Sequence, residues 1–288
     1  THNIGRVTLG GTPSSTVRIR LQTGNWNGDA NALLIPQCNN WAGLTVVGFD
    51  EDLVHIEGAI AGDLTDTVVV GRVARFEIDG DMTRGIQAGE TGNAILRVFA
   101  GSMTYPGNVS APNGHVGTVD IAGDMQGAVN AGGDITDVLV GGDLLASPFA
   151  SEIEAGEGII RVDVAGDIGA VGEPVVIRAA NRIRIVHCDT MYAHIDGDSD
   201  DDTGSGTGYT YDVETRVGGF TGSFHADYYD GDPHEGFSIA GDLDADLSSV
   251  RWFSRPVVVD GVFHADRTII AGINLGASAD LTFTDSQG

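Results

Sequence analysis

The sequence has no lysine: all 15 basic residues are arginine. Against them stand 31 Asp and 10 Glu, for a net charge of −26. A surface of that sign repels phosphate backbones and argues against a nucleic-acid partner. It attracts cations and stays soluble at high salt, where self-repulsion is screened. Cysteine occurs only as Cys38 and Cys188, so no disulfide framework holds the fold. Buried free thiols are the expectation, and a bond between subunits is the alternative. No run approaches the roughly 20 apolar residues that cross a bilayer as a helix, so no membrane span is expected. Aromatics make up only 7% of the chain while glycine reaches 43 residues. That pairing disfavours a helical bundle and suits many tight turns around a narrow aliphatic core.

What the chain does contain is a repeated phrase of alternating aliphatics, Gly, Asp and a further aliphatic. It reads Ile60-Ala61-Gly62-Asp63-Leu64, Ile78-Asp79-Gly80-Asp81-Met82 and Phe99-Ala100-Gly101-Ser102-Met103. It returns around Asp124, Asp143, Asp167 and Asp242. From Asp63 to Asp167 the successive spacings are 18, 21, 22, 19 and 24 residues. Asp198 is the next candidate, with two coils of 22 residues between it and Asp242. A second phrase, aliphatic-x-Ala-Gly, falls between copies, as in Ile86-Gln87-Ala88-Gly89 and Val129-Asn130-Ala131-Gly132. A third, a short aliphatic run, reads Val68-Val69-Val70, Ile95-Leu96-Arg97-Val98, Val138-Leu139-Val140 and Ile159-Ile160-Arg161-Val162.

Strands this short, two or three per coil and separated by Gly corners, predict an all-β parallel β-helix (β-solenoid). One coil cannot bury its own aliphatic face, so coils stack about 4.8 Å apart and each strand pairs with its counterpart one coil on. Residues 43–288 are read as the solenoid, with a loop insertion around 196–236. Roughly eleven coils, on the order of 50 Å of stack, fit at that spacing. Residues 1–42 are read as an N-terminal strand or cap segment containing the alternating run Val17 to Leu21 and Trp26 and Trp41. At the corners, Gly is expected to supply positive φ and Asp to accept from amides just past the turn. A β-sandwich with Gly-rich hairpins is the alternative fold.

The Gly-Asp and x-Ala-Gly phrases give the chain a pattern that resembles bacterial β-solenoid repeat proteins. The likeness is to the polymer-forming bactofilins and the repeat regions of secreted adhesins, and covers residues 55–170 best. It implies a scaffold that polymerises or projects from a surface. The first residue is Thr rather than Met, as a cleaved signal peptide would leave it, although a partial chain starts the same way. An extracellular or cell-surface location is therefore expected.

Leu281 and Phe283 continue the strand pattern close to residue 288. An open last coil invites pairing by another chain, and the strand carrying Val17, Ile19 and Leu21 is the candidate to complete it. Copies of the same chain are thus the expected partners, joined head to tail into a filament or sheath. A monomeric adhesin or stalk is one alternative. A polysaccharide-acting lyase or hydrolase is the other, with polysaccharide as its partner. No Gly-x-Ser-x-Gly, phosphate loop or His-Glu-x-x-His occurs, so no catalytic residue is assigned.

The candidate cation site is Asp196, Asp198, Asp200 and Asp202, carboxylates at alternate positions as in a Ca²⁺ loop. The run lacks the EF-hand Gly at its sixth position and Glu at its twelfth, where Asp201 and Thr207 stand. A solvated acidic loop is the alternative. Three further signals are weaker. The Phe-His-Ala-Asp repeat at 224–227 and 263–266 places two imidazoles about 10 Å apart if two coils separate them. His187-Cys188-Asp189 with His194 lacks recognised zinc spacing. Asn108-Val109-Ser110 is a short glycosylation sequon.

If the loop takes Ca²⁺, the ion raises the melting temperature, and Asp198→Asn with Asp200→Asn shrinks that rise. Identical melts with and without chelator would eliminate the site.

Overall fold

The computed structural model describes residues 6–10, 19–23, 32–38, 44–48, 54–60, 62–65, 67–146, 152–197, 212–225, 237–246 and 258–262. The described residues contain strands and no helix, and they form a parallel β-solenoid. The chain divides into two compact units, Thr1–Gly141 and Gly142–Gly288.

In the first unit, one sheet is built from β1 (Arg6–Gly10), β3 (Ala32–Cys38), β5 (Val54–Ile60), β7 (Arg72–Met82), β9 (Gly92–Met103), β11 (Gly114–Ile121) and β13 (Ile135–Val140), stacked in that order. The other holds β2 (Ile19–Thr23), β4 (Leu44–Gly48), β6 (Val68–Val70), β8 (Ile86–Ala88), β10 (Asn108–Ala111) and β12 (Ala128–Ala131). Consecutive strands thus alternate between sheets, and these strands pair in parallel. The ladders begin at β1, so residues 6–38 carry strands of the same two sheets.

The second unit repeats this plan. Its first sheet is β15 (Gly158–Val164), β17 (Arg182–Cys188), β19 (Asp212–Thr215), β21 (Phe237–Ile239) and β23 (Val258–Val259). Its second is β14 (Glu152–Ala155), β16 (Val175–Ala179), β18 (Met191–Asp196), β20 (Phe220–His225) and β22 (Leu243–Asp246). Over the two longest described stretches, 67–146 and 152–197, the chain completes about six turns. The sequence expectation of roughly eleven coils counted from residue 43 is not the count the described residues give.

Each coil therefore has two sheet strands, with a third contact reduced to a single residue. Aliphatics after the corner make single-residue bridges: Leu64 to Met82, Met103 to Met125, and Ile168 to both Leu144 and Met191. The two-residue gap in two copies of the third phrase has a matching cause. In β9, Leu96 and Arg97 both face outward between buried Ile95 and Val98. The same double outward pair is Ile160-Arg161 in β15 and Arg184-Ile185 in β17. Two successive outward residues interrupt the period-2 alternation of a strand and turn the sheet around the core.

Like side chains stack inside. Phe76, Val98, Val119 and Val138 occupy one register column of the first unit, and all are fully buried. Val68, Ile86, Val109 and Val129 do the same in its other sheet. In the second unit, Val162, Val186, Val213 and Phe237 form a column. Phe224 meets Phe237 edge-on with ring centroids 5.0 Å apart. Burial of each such side chain is worth about 1.5–3 kcal/mol, and none is available to an isolated coil. The one buried polar side chain among the described residues, Thr215, is satisfied: its hydroxyl donates to Gly218 O at 2.7 Å and accepts from Ala240 N–H at 3.2 Å.

Candidate functional site: the glycine–aspartate corners

The feature that repeats through both units is the Gly-Asp corner. Asp63 Oδ1 accepts the backbone N–H of Asp81 at 2.9 Å. Asp143 Oδ1 accepts from Asp167 N–H at 2.9 Å, and Asp242 Oδ1 from Val262 N–H at 2.7 Å. In each case the donor belongs to the next coil. The expectation that Asp bonds just past its own corner is thus corrected: the carboxylate stitches one coil to the following one.

The preceding glycine has a matching reason. Among the described residues the positive-φ glycines are Gly92, Gly169, Gly172 and Gly222, and none of them belongs to a Gly-Asp phrase. Conformational freedom is therefore not what the phrase requires. A Cβ on Gly80 would collide with Asp63 Oδ1 and come within 2.8 Å of the Gly62 carbonyl carbon. A Cβ on Gly166 would collide with Asp143 Oδ1 and come within 3.0 Å of Gly142 O. Each Gly vacates the space into which the previous coil's Asp reaches. Where that coil carries Ser102 instead, the space at Gly123 is less tight, its nearest atom being Gly101 O at 3.1 Å.

Stacked carboxylates about 4.8 Å apart repel by roughly 0.9 kcal/mol even at water's dielectric. The corner ladder moderates this in two ways. The carboxylate of each described pair accepts an amide proton, and the acidic run is interrupted. Ser102 Oγ donates to Asp81 Oδ1 at 2.6 Å. Thr190 and Gly219 take the corner position at later turns, as the bonds Ile168 N–H to Thr190 O and Met191 N–H to Gly219 O show. Phe220 N–H then bonds Asp242 O. The corners thus run Asp167, Thr190, Gly219, Asp242, and the sequence candidate Asp198 lies outside the described residues. The sequence reading skipped Thr190 and Gly219 because neither carries the Gly-Asp signature.

Outward charges pair across coils. Arg97 Nη2 lies 2.9 Å from Asp120 Oδ2, and His187 Nε2 lies 3.1 Å from Asp212 Oδ2. Arg216 spans two coils, donating to Val164 O at 2.8 Å and Asp163 Oδ1 at 2.6 Å. These groups are partly exposed, so each pair contributes little alone.

Of the proposed cation ligands, Asp196 ends β18, with Arg178 and His225 as its register neighbours. Asp198, Asp200 and Asp202 lie outside the described residues, as do Val17, Leu281, Phe283, Trp26, Trp41 and residues 263–266. Ile19 and Leu21 lie in β2, in register with Leu44 and Val46. His187 and Cys188 point to opposite faces of β17, the histidine outward and the thiol into the core, so they do not form one ligand set. Asn108 and Ser110 both face outward from β10. The corner bond and the two-coil Arg216 clamp were not anticipated, because each joins residues 18 to 53 positions apart.

Comparison of the chain with protein-family models, curated proteins and solved structures gave no match. The fold defines the class, a parallel β-solenoid, and does not by itself indicate catalysis.

Two outcomes test this geometry. Gly166→Ala and Gly80→Ala each destabilise by about 1–3 kcal/mol. Asp143→Ala removes most of the obstruction at Gly166, so the double variant is more stable than the sum of the two losses requires. Asp63→Ala gives no such relief at Gly80, because the Gly62 backbone still blocks the site. Additive losses at 143 and 166 would refute the reciprocal fit. Second, burial pushes the Cys188 thiol from 9.0 to about 12. Native protein therefore resists alkylation at Cys188 at pH 8–9, and denatured protein does not. Between pH 9.0 and about 12 the unfolded chain releases this proton while the folded chain keeps it. The thiol's contribution to stability consequently falls as pH rises through that window. Cys188→Ala should soften the alkaline loss, and rapid native alkylation would contradict the burial.

Proposed function

We propose that the protein is an extracellular structural element that assembles end to end into a filament or sheath. One observation carries this reading: the contacts that hold a coil are nearly all made to adjacent coils, and they repeat by simple translation. The parallel backbone ladder and the stacked aliphatics are the same set at successive turns, and the corner Asp-to-amide bond recurs at three of them. A coil from a second copy offers that same set. Among the described strands, β1 and β2 each pair on one edge only, with β3 and β4. A parallel edge of this kind accepts a further strand. Such a head-to-tail contact is heterologous and propagates unless it closes a ring. The likeness in pattern to polymer-forming solenoids supports the reading. The net charge of −26 supports a setting where salt or cations screen the surface.

A folded, soluble domain fused ahead of residue 1 through a protease-cleavable linker tests this. The fused protein should remain as single particles by electron microscopy and light scattering. Cleavage at micromolar concentration and physiological salt should release filament growth. Single particles after cleavage, or filaments from the uncleaved fusion, would overturn the proposal.

A further inference from the structure

The outer face of the second sheet in the first unit differs from the rest of this acidic chain. Across β6, β8, β10 and β12 its outward residues are Val69, Gln87, Asn108, Ser110, Ala128 and Asn130, and none of these is ionisable. Val69, Gln87, Ser110 and Asn130 form one column in register. The equivalent face of the second unit carries Glu152, Glu154, Arg178, His194 and Asp244 among others. Asn130 Oδ1 is buried yet accepts no hydrogen bond among the described residues. A buried acceptor left unpaired in this way is destabilising. Two exposed residues stand at the rim. Arg84 and Tyr105 each lie two positions beyond the register partners Met82 and Met103, and Tyr105 is 45% exposed.

We propose that this neutral face docks a second copy of the chain, side by side. Two copies that each carry −26 can approach closely only where charge is absent. The amides of Gln87 and Asn108 both donate and accept, so the face can complement itself about a two-fold axis. Tyr105 at the rim is a residue type favoured as an interface anchor, and Arg84 meets an acidic partner surface. Four strands about 4.8 Å apart make a small patch, well below the roughly 800 Å² per partner of a standard interface. A single contact is therefore weak, and copies aligned end to end add such contacts by avidity. The pairing of filaments rests on the end-to-end reading, whereas the weak dimer does not. A neutral polysaccharide is the competing occupant. It is disfavoured because sugar stacking needs several aromatic platforms and Tyr105 is the one aromatic beside this face among the described residues.

Sedimentation velocity on the full chain tests the proposal, comparing wild type with the variant Gln87→Glu, Ser110→Glu and the neutral control Gln87→Asn, Ser110→Thr. Wild type and control should form a reversible dimer. The charged variant should raise its dissociation constant by about tenfold or more, with partial recovery at high salt. Far-UV circular dichroism and melting curves establish that each variant is folded. Where filaments form, the charged variant should give single strands of unchanged length in place of paired ones. If no filaments form, the end-to-end reading fails while the dimer still reports on this face. An unchanged dimer constant in the charged variant would overturn the proposal, as would wild type that stays monomeric throughout. Monomeric wild type that co-sediments with cellulose, lost in the charged variant, would assign the face to neutral polysaccharide instead.

Discussion

A solenoid coil about 20 residues long can neither pair its own backbone nor cover its own aliphatic face, so it exists only against another coil. Everything else in this protein follows from that dependence. The interior columns are aliphatic because each side chain is buried by its counterpart one turn away, not by sequence neighbours. The corners are tight because coils a strand spacing apart leave little room where the chain changes direction. Gly-Asp meets both demands at once. The Asp of one turn supplies an acceptor to the next turn's amide, and the Gly of that next turn makes way for it, as at Asp143 and Gly166.

The same dependence explains how the chain tolerates its charge. Placing an acid at successive corners puts like charges in line, which destabilises a compact state. The corner Asp is useful because it satisfies a backbone donor that would otherwise face the turn unpaired. The line is broken by Ser102, Thr190 and Gly219, and the Ser102 hydroxyl donates to its acidic neighbour. On the sheet faces Arg97 and Arg178 are set against acids from other coils, and Arg216 reaches across two. Lysine has no place in this scheme. The planar guanidinium makes several directed bonds at once, as Arg216 does to a carbonyl and a carboxylate, and an ammonium offers only a point charge.

Much of this was legible in the sequence, and the failures have physical causes. The Gly-Asp and x-Ala-Gly phrases located the corners and the second sheet from Ile60 to Ile168, and parallel coil-on-coil pairing followed from their period. The third phrase joined unlike places: Leu96-Arg97 and Ile160-Arg161 mark a bend within a strand of the first sheet, whereas Val68-Val69-Val70 is β6 of the second. Beyond Asp167 the Gly-Asp signature lapses at the next two corners, Thr190 and Gly219. A corner needs a small residue with an acceptor or no side chain at all, and Thr190 and Gly219 serve as well as Asp. The role of Gly was also misread. Sequence alone shows that a residue without Cβ is required, but not whether backbone conformation or a neighbouring atom excludes the Cβ. For the candidate cation loop, the sequence placed four acids at alternate positions. The structure adds that the first of them, Asp196, ends a strand with Arg178 as its register neighbour.

The functional reading rests on translational repetition: a contact set that joins one coil to the next in a chain can join coils of two chains. Its foundation is the corner bond between coils, which a direct observation can decide. In ¹⁵N,¹³C-labelled protein, a through-hydrogen-bond coupling should connect the Asp167 amide nitrogen to the Asp143 side-chain carboxyl carbon. The backbone bond from Leu144 N–H to Asp167 O serves as the positive control in the same spectrum. Detection of both couplings is the result this account predicts. The control coupling without the Asp167-to-Asp143 coupling would show that the corner carboxylate does not join one coil to the next.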